Sequence, residues 1–306
     1  MAALFSPHYE TVDAVDCISF DIRQGEIVGY VGPNGAGKST TIKMLSGILY
    51  PTSGEVSVAG FDPFQRRRQF TMNLGVMFGQ KSQLWWDLPV SESFDLLKSI
   101  YRIENDRYDA NLDYLDGLLG IREFWSRPVR RLSLGQRVRA DLAAALIHEP
   151  SVLLLDEPTI GLDVLAREKF RELIKQVNRD KKVTILITSH DLADIELIVE
   201  RLILIDSGKV VYDGMLTDFM KEHARHSRIL ITFYDTPRLS ALPEGARVLE
   251  TVENYIDLEV DTGSGAYTDL LTLLPTWGKV KEIHMETASL EKVLAGLYKE
   301  GRQEAL

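Results

Sequence analysis

Short apolar runs closed by Gly, Pro or polar residues, with helical patterning between them, predict an α/β fold built on a doubly wound, largely parallel sheet. The runs are "EIVGYVG" (26–32), "SVLLLDEP" (151–158), "TILITSH" (184–190) and "RLILIDSG" (201–208). A glycine-rich turn follows the first run and an acidic pair ends the second. Both lie at strand ends, where open α/β sheets bind ligands.

The elements follow in chain order. After Lys38 a helical pattern runs through Ile42 and Leu45 and stops at Gly47. "GVMFGQ" reads as a strand ending just before Gln80. From about Pro89 to Ile147 strand-like runs disappear, and "SESFDLLKSIY", "NLDYLDGLLG" and a face of Val138, Leu142, Ala145 and Leu146 predict an all-helical insertion, residues 89–147. The core domain is expected over residues 1–220. Beyond it the texture changes: "RILITFY", "YIDLEV" and "KVKEIHM" read as strands, and "YTDLLTLL" and "SLEKVLAGLYKE" as helices. A small C-terminal α+β domain, residues 226–306, follows a short polar link near "KEHARHS".

Composition excludes several classes. A net charge of −10 over 306 residues argues against a nucleic-acid partner, which needs a positive face. The dense basic cluster Arg66–Arg68 reads as a solvated surface turn. The single cysteine, Cys17 in "CISF", is expected at a buried strand position and points to a reducing compartment. No apolar run approaches the roughly 18 residues that span a bilayer, and "MAALFSPHYE" lacks a signal-peptide pattern, so a membrane role requires a partner.

Chemistry is concentrated in a few motifs. "GPNGAGKST" fits G-x-x-x-x-G-K-[ST] between a strand and a helix. Its backbone amides form a nest for phosphates, Lys38 reaches the outer phosphates, and the Ser39 hydroxyl suits magnesium. Asp156 suits a magnesium ligand, and its neighbour Glu157 can polarise an attacking water. His190, on the same strand-end rim, can hydrogen-bond a γ-phosphate. Gln80 can contact both magnesium and water. A second serine-glycine turn, "LSLGQ" (132–136), opens another helix about a hundred residues after the first.

In this order the motifs resemble the ATP-binding subunits of ABC transporters, over roughly residues 8–217. The phosphate loop with Gly32, Asn34, Gly35, Gly37, Lys38, Ser39 and Thr40 is followed by Gln80, "LSLGQ", "LLLDEP", "GLD" ending at Asp163, and His190. The resemblance implies a P-loop nucleotide-hydrolase core with an antiparallel β part and ATP and Mg2+ as cofactors. It makes Glu157, His190 and Gln80 catalytic, and Ser39, Gln80 and Asp156 metal-binding. Tyr9 falls where the family stacks an aromatic on adenine. The resemblance also implies two subunits head to tail, so that the signature turn with Ser133 and Gly135 of one chain faces the nucleotide held by the other, and it counts Gln136 and Asp163 among the nucleotide-binding residues. Ser133 would cap its helix while the Gly135 amide offers a donor to the γ-phosphate.

Leu134 stands where the commonest form of the signature has a second glycine. This variant, the absence of an acidic-glycine stretch in "SRPVRR", and the "SLEKVL" ending are similar to ABC-2 and daunorubicin-resistance-type exporter ATPases. The implied function is ATP hydrolysis powering a separate integral-membrane permease, from the cytoplasmic face of the membrane. The complete motifs favour a homodimer. The helical insertion is the expected permease-facing surface, with one of Trp85 and Trp86 in the core and the other at the docking site. The alternatives are an importer ATPase with a regulatory C-terminal domain and a soluble protein of the same family acting on ribosomes or DNA.

Overall fold

The structure, a computed structural model, describes residues 13–79, 81–224, 226–261, 265–286 and 289–303. The chain divides into two compact units, Met1–Gly214 and Met215–Leu306.

In the first unit the buried apolar runs become β1 (Ile27–Val31), β2 (Leu74–Phe78), β3 (Val152–Asp156), β4 (Thr184–Thr188) and β5 (Arg201–Asp206). β6 (Lys209–Met215) completes a six-stranded sheet of order β2-β3-β4-β1-β5-β6. The pairings of β2 with β3, β3 with β4, β4 with β1 and β1 with β5 are all parallel. β5 and β6 are joined by two residues only, which an antiparallel pair alone permits. Val28, Tyr30, Leu154, Leu186 and Ile203 are buried in one core cluster with Ile42 of α1 (Lys38–Leu45) and Phe70 of α2 (Arg67–Met72). The basic cluster thus runs into a helix, and the Arg67 guanidinium donates to the Gly47 carbonyl.

Between β2 and β3 lie α3 (Val90–Tyr101), α4 (Asn105–Leu119), two 3-10 turns (Ile121–Phe124 and Val129–Arg131) and α5 (Leu134–Leu146). The Val138, Leu142, Ala145 and Leu146 face of α5 is buried as its spacing requires. α6 (Val164–Lys181) and α7 (Leu192–Ile198) flank β4 and are joined by ion pairs from Arg167 to Asp191 and from Arg171 to Asp194.

The second unit begins with α8 (Leu216–His223), so the structural division falls before the stretch read as a link. β7 (His226–Phe233), β8 (Ala246–Val252), β9 (Tyr255–Asp261) and β10 (Val280–Glu286) form an antiparallel sheet of order β10-β7-β9-β8. Alternate residues Ile229, Ile231 and Phe233 pack with Leu270, Leu274 and Trp277 of α9 (Ala266–Trp277). α10 (Leu290–Gln303) contacts α8.

Two expectations are corrected. Cys17 is exposed in a bend with φ 52°, because Asp16 turns the chain by donating its amide to the Gly208 carbonyl. Neither tryptophan of "LWW" is a core anchor: Trp85 and Trp86 are 39% and 51% exposed, and the buried residue is Leu84. Among the described residues no helix is long and apolar enough to cross a membrane.

Candidate nucleotide site

The phosphate loop joins β1 to α1. Gly32 sits against β5, where a Cβ would lie 2.0 Å from the Ile205 carbonyl oxygen, so a larger residue would displace the sheet. Gly37 has φ 106°, and its absent Cβ would meet the Ala14 carbonyl at 2.5 Å. It caps α1 without a side-chain hydrogen bond, leaving the start of the helix open to an anion. The buried Lys38 ammonium donates to the carbonyls of Gly32 (2.7 Å) and Pro33 (2.9 Å). Burial pushes its pKa below the usual lysine range, and the carboxylates of Glu157 and Asp156 pull it back up. Beside α1 runs a groove of about 850 Å³, lined by Ala14, Val15, Thr40, Thr41 and Tyr50 among others.

Parallel pairing brings the acidic pair to this loop. Asp156 stands opposite Thr188 in the register of β3 and β4, and the Thr188 hydroxyl donates to Asp156 Oδ1 at 2.7 Å. Ser39 Oγ lies 3.5 Å from the same oxygen. The Glu157 amide donates to the Thr188 carbonyl (3.1 Å) and Oγ1 (3.0 Å), which holds Glu157 at φ 52°. A glutamate in the left-handed region is strained, and such strain clusters at functional sites. His190 Nδ1 lies 3.5 Å from Glu157 Oε2. The structure therefore gathers Lys38, Ser39, Asp156, Glu157 and His190, with Thr188 orienting the Asp156 carboxylate and anchoring the Glu157 backbone. Sequence reading missed Thr188 because a threonine ending a β-branched strand carries no distinguishing pattern.

Ser39 and Asp156 offer hard oxygen donors. Among the described residues no cluster of three or more His, Cys, Asp or Glu could hold a metal unaided. This donor set fits magnesium, which takes one or two protein ligands and fills its remaining positions with phosphate and water.

The second turn is a separate cluster. Ser133 Oγ accepts from the Gln136 amide (3.2 Å) and Gln136 Oε1 accepts from the Ser133 amide (3.1 Å), a complete capping box at the start of α5. A Cβ on Gly135 would meet only the Ala166 Cβ at 3.9 Å, an ordinary contact. Asp163 caps α6 by accepting from the Ala166 amide at 2.8 Å. Arg167 joins the Leu162 carbonyl to the Asp191 carboxylate, tying the "GLD" turn to the residue after His190. Val164 and Leu165, at 78% and 71% exposed, make an apolar surface next to this turn. Among the described residues no hydrogen bond or ion pair joins the second cluster's Ser133, Gly135, Gln136 and Asp163 to the phosphate loop. Gln80 and Tyr9 lie outside the described residues.

Comparison with known proteins is consistent with this geometry. The ABC transporter family profile matches residues 15–160. The ABC transporter ATP-binding protein NatA of Bacillus subtilis is 35% identical over 212 residues, covering 69% of this chain and 86% of its own. The bacitracin transport ATP-binding protein BcrA of Bacillus licheniformis is 32% identical over 217 residues, covering 71% of this chain and 69% of its own. Among solved structures, the dimeric ATP-binding cassette MJ0796 in a post-hydrolysis state with ADP and Pi superposes with a TM-score of 0.61. It is 26% identical and matches 69% of this chain and 94% of that one.

Proposed function

The chain belongs to the ATP-binding subunits of ABC transporters, a family of ATP hydrolases, and from that premise we propose that it powers a separate ABC-2-type permease, as an exporter. The "LSLGQ" signature supports this direction, and BcrA is named for the transport of bacitracin. In this reading the protein works at the cytoplasmic face of the membrane as a homodimer. The exposed Trp85 and Trp86 form part of the surface that meets the permease, and the second unit stabilises or regulates the dimer.

The observation that carries the reading is the separation of two complementary clusters, one built to take phosphates and one capped but open. ATP phosphates enter the amide nest of Gly35–Thr40, and Lys38 exchanges its two loop carbonyls for phosphate oxygens. The groove beside Thr40 and Val15 accommodates the nucleoside. Ser39 and Asp156 would hold magnesium, which neutralises charge on the phosphates when bound. Glu157 polarises the attacking water, Thr188 orients the Asp156 carboxylate and anchors the Glu157 backbone, and His190 contacts the γ-phosphate from the Glu157 side. Ser133 and the open amides at the start of α5 close over the γ-phosphate bound by the partner chain.

Mixing two variants tests this arrangement. Lys38→Ala disables the phosphate loop, and Gly135→Glu puts a carboxylate where a phosphate should approach. Each alone spoils both sites of a homodimer, but a mixed dimer retains one complete site. ATP-dependent dimerisation measured by sedimentation should be absent from each variant and recovered in the mixture. Failure to recover, with subunit exchange demonstrated, rules out a site shared between chains.

A further inference from the structure

We infer that Asp141 is a positioning residue that fastens the segment Ser82–Trp86 to the helix beginning at Ser133, so that the aromatic surface travels with the signature turn. The inference rests on the proposed roles of that turn in ATP closure and of Trp85 and Trp86 in permease contact.

Asp141 lies on α5, eight residues after Ser133, on a stretch that is otherwise alanine and leucine, "ADLAAAL". It is 5% exposed. Burying a carboxylate costs stability unless its oxygens are well partnered, and simple helix packing there would be served by another alanine. Burial pushes the Asp141 pKa up to about 6, against the opposing hydrogen bonds from Ser82 and Gln83.

The partners come from one direction. Asp141 Oδ1 accepts from the Ser82 hydroxyl at 2.7 Å and from the Gln83 amide at 3.2 Å, while the Asp141 carbonyl accepts from Gln83 Nε2 at 2.8 Å. Ser82 Oγ in turn accepts from the Leu84 amide at 3.2 Å, and the Leu84 side chain is buried. One turn earlier on α5, the Arg137 guanidinium lies over the Trp86 ring, 4.5 Å from its centroid. The Trp86 carbonyl accepts from the Arg130 amide at 3.0 Å, and the Arg130 side chain pairs with Asp87. Ser82, Gln83, Trp86 and Asp87 thus each have a fixed point on α5 or on the segment leading into it, and Leu84 is tied to Ser82. A rotation of α5 when Ser133 engages a phosphate would carry the exposed indoles with it.

The bonds from Ser82 and Gln83 both fall on Asp141 Oδ1, an acceptor that an amide also offers, whereas the Leu84 backbone and the Arg137 charge favour the carboxylate itself. Asp141→Asn should keep the fastening, whereas Asp141→Ala and the milder Ser82→Ala should release it. Hydrogen exchange of the full chain without nucleotide should show residues 82–88 exchanging about tenfold faster in the two alanine variants and as in wild type in Asp141→Asn. A second comparison uses a Glu157→Gln background to hold ATP. There ATP should slow exchange at 82–88 and 133–141 together, and Asp141→Ala should abolish the response at 82–88 alone.

Unchanged exchange in Asp141→Ala, or equal release in Asp141→Asn, would overturn the fastening. A response at 82–88 that persists in Asp141→Ala would overturn the transmission. ATP without effect on either segment in the Glu157→Gln background counts against the proposed ATP closure instead, and the nucleotide-free measurements still decide the fastening.

Discussion

At the phosphate loop, the Gly32 Cα is pressed so close to β5 that a Cβ would sit 2.0 Å from the Ile205 carbonyl, whereas at the signature turn a Cβ on Gly135 would meet only the Ala166 Cβ at 3.9 Å. Lys38 is likewise satisfied by its own loop, while the start of α5 spends its capping serine on one amide and leaves the first turn open. Glycine at the first turn is demanded by the chain's own packing. Glycine at the second is not, and the proposed dimer gives it a reason, the approach of the partner's phosphate. In that reading the first turn is a finished socket and the second is half of one.

Substitution separates the two cases. Gly32→Ala forces a methyl group into a backbone carbonyl and should cost about 3 kcal/mol of stability, the upper range for overpacking, read as a fall in the thermal midpoint. Gly135→Ala, at the start of a helix with free space, should be within about 1 kcal/mol of wild type or slightly more stable, while still weakening ATP-dependent dimerisation. Equal destabilisation by both would break the contrast.

The next effect belongs to the socket. Glu157→Gln keeps the backbone bonds to Thr188 and removes the charge, so turnover should fall about 100-fold, the usual cost of losing a general base, with ATP binding retained. Near-normal hydrolysis in a single-turnover assay would remove Glu157 from that role. The smallest effect belongs to the half socket. Ser133→Ala loses one capping bond and should cost about 1 kcal/mol, measurable by urea unfolding. A larger loss would mean that Ser133 supports more than its own helix.

Much of the socket was legible because its residues are contiguous in short motifs. Lys38 and Ser39 follow a glycine loop, and Asp156 and Glu157 end an apolar strand, so local pattern and chemistry coincide. Thr188 and Asp141 were not legible. Each acts through a partner distant in sequence, Asp156 at 32 positions and Ser82 at 59. β8 escaped notice because "ARVLETV" is largely exposed and lacks clean alternation. Cys17 was misread because "CISF" has the apolar texture of a strand, although a bend set by the bond from Asp16 to Gly208 overrides it.

By itself the sequence determined what depends on near neighbours: apolar runs that must be buried, glycines that permit the phosphate loop, and a serine and glutamine spaced to cap α5. Tertiary structure decided which strand ends meet. β4 inserts between β3 and β1, bringing Thr188 to Asp156 and setting His190 beside Glu157, residues no local pattern joins. Periodicity specifies which face of an element is buried. The neighbour that covers that face is chosen by the packing of the whole sheet.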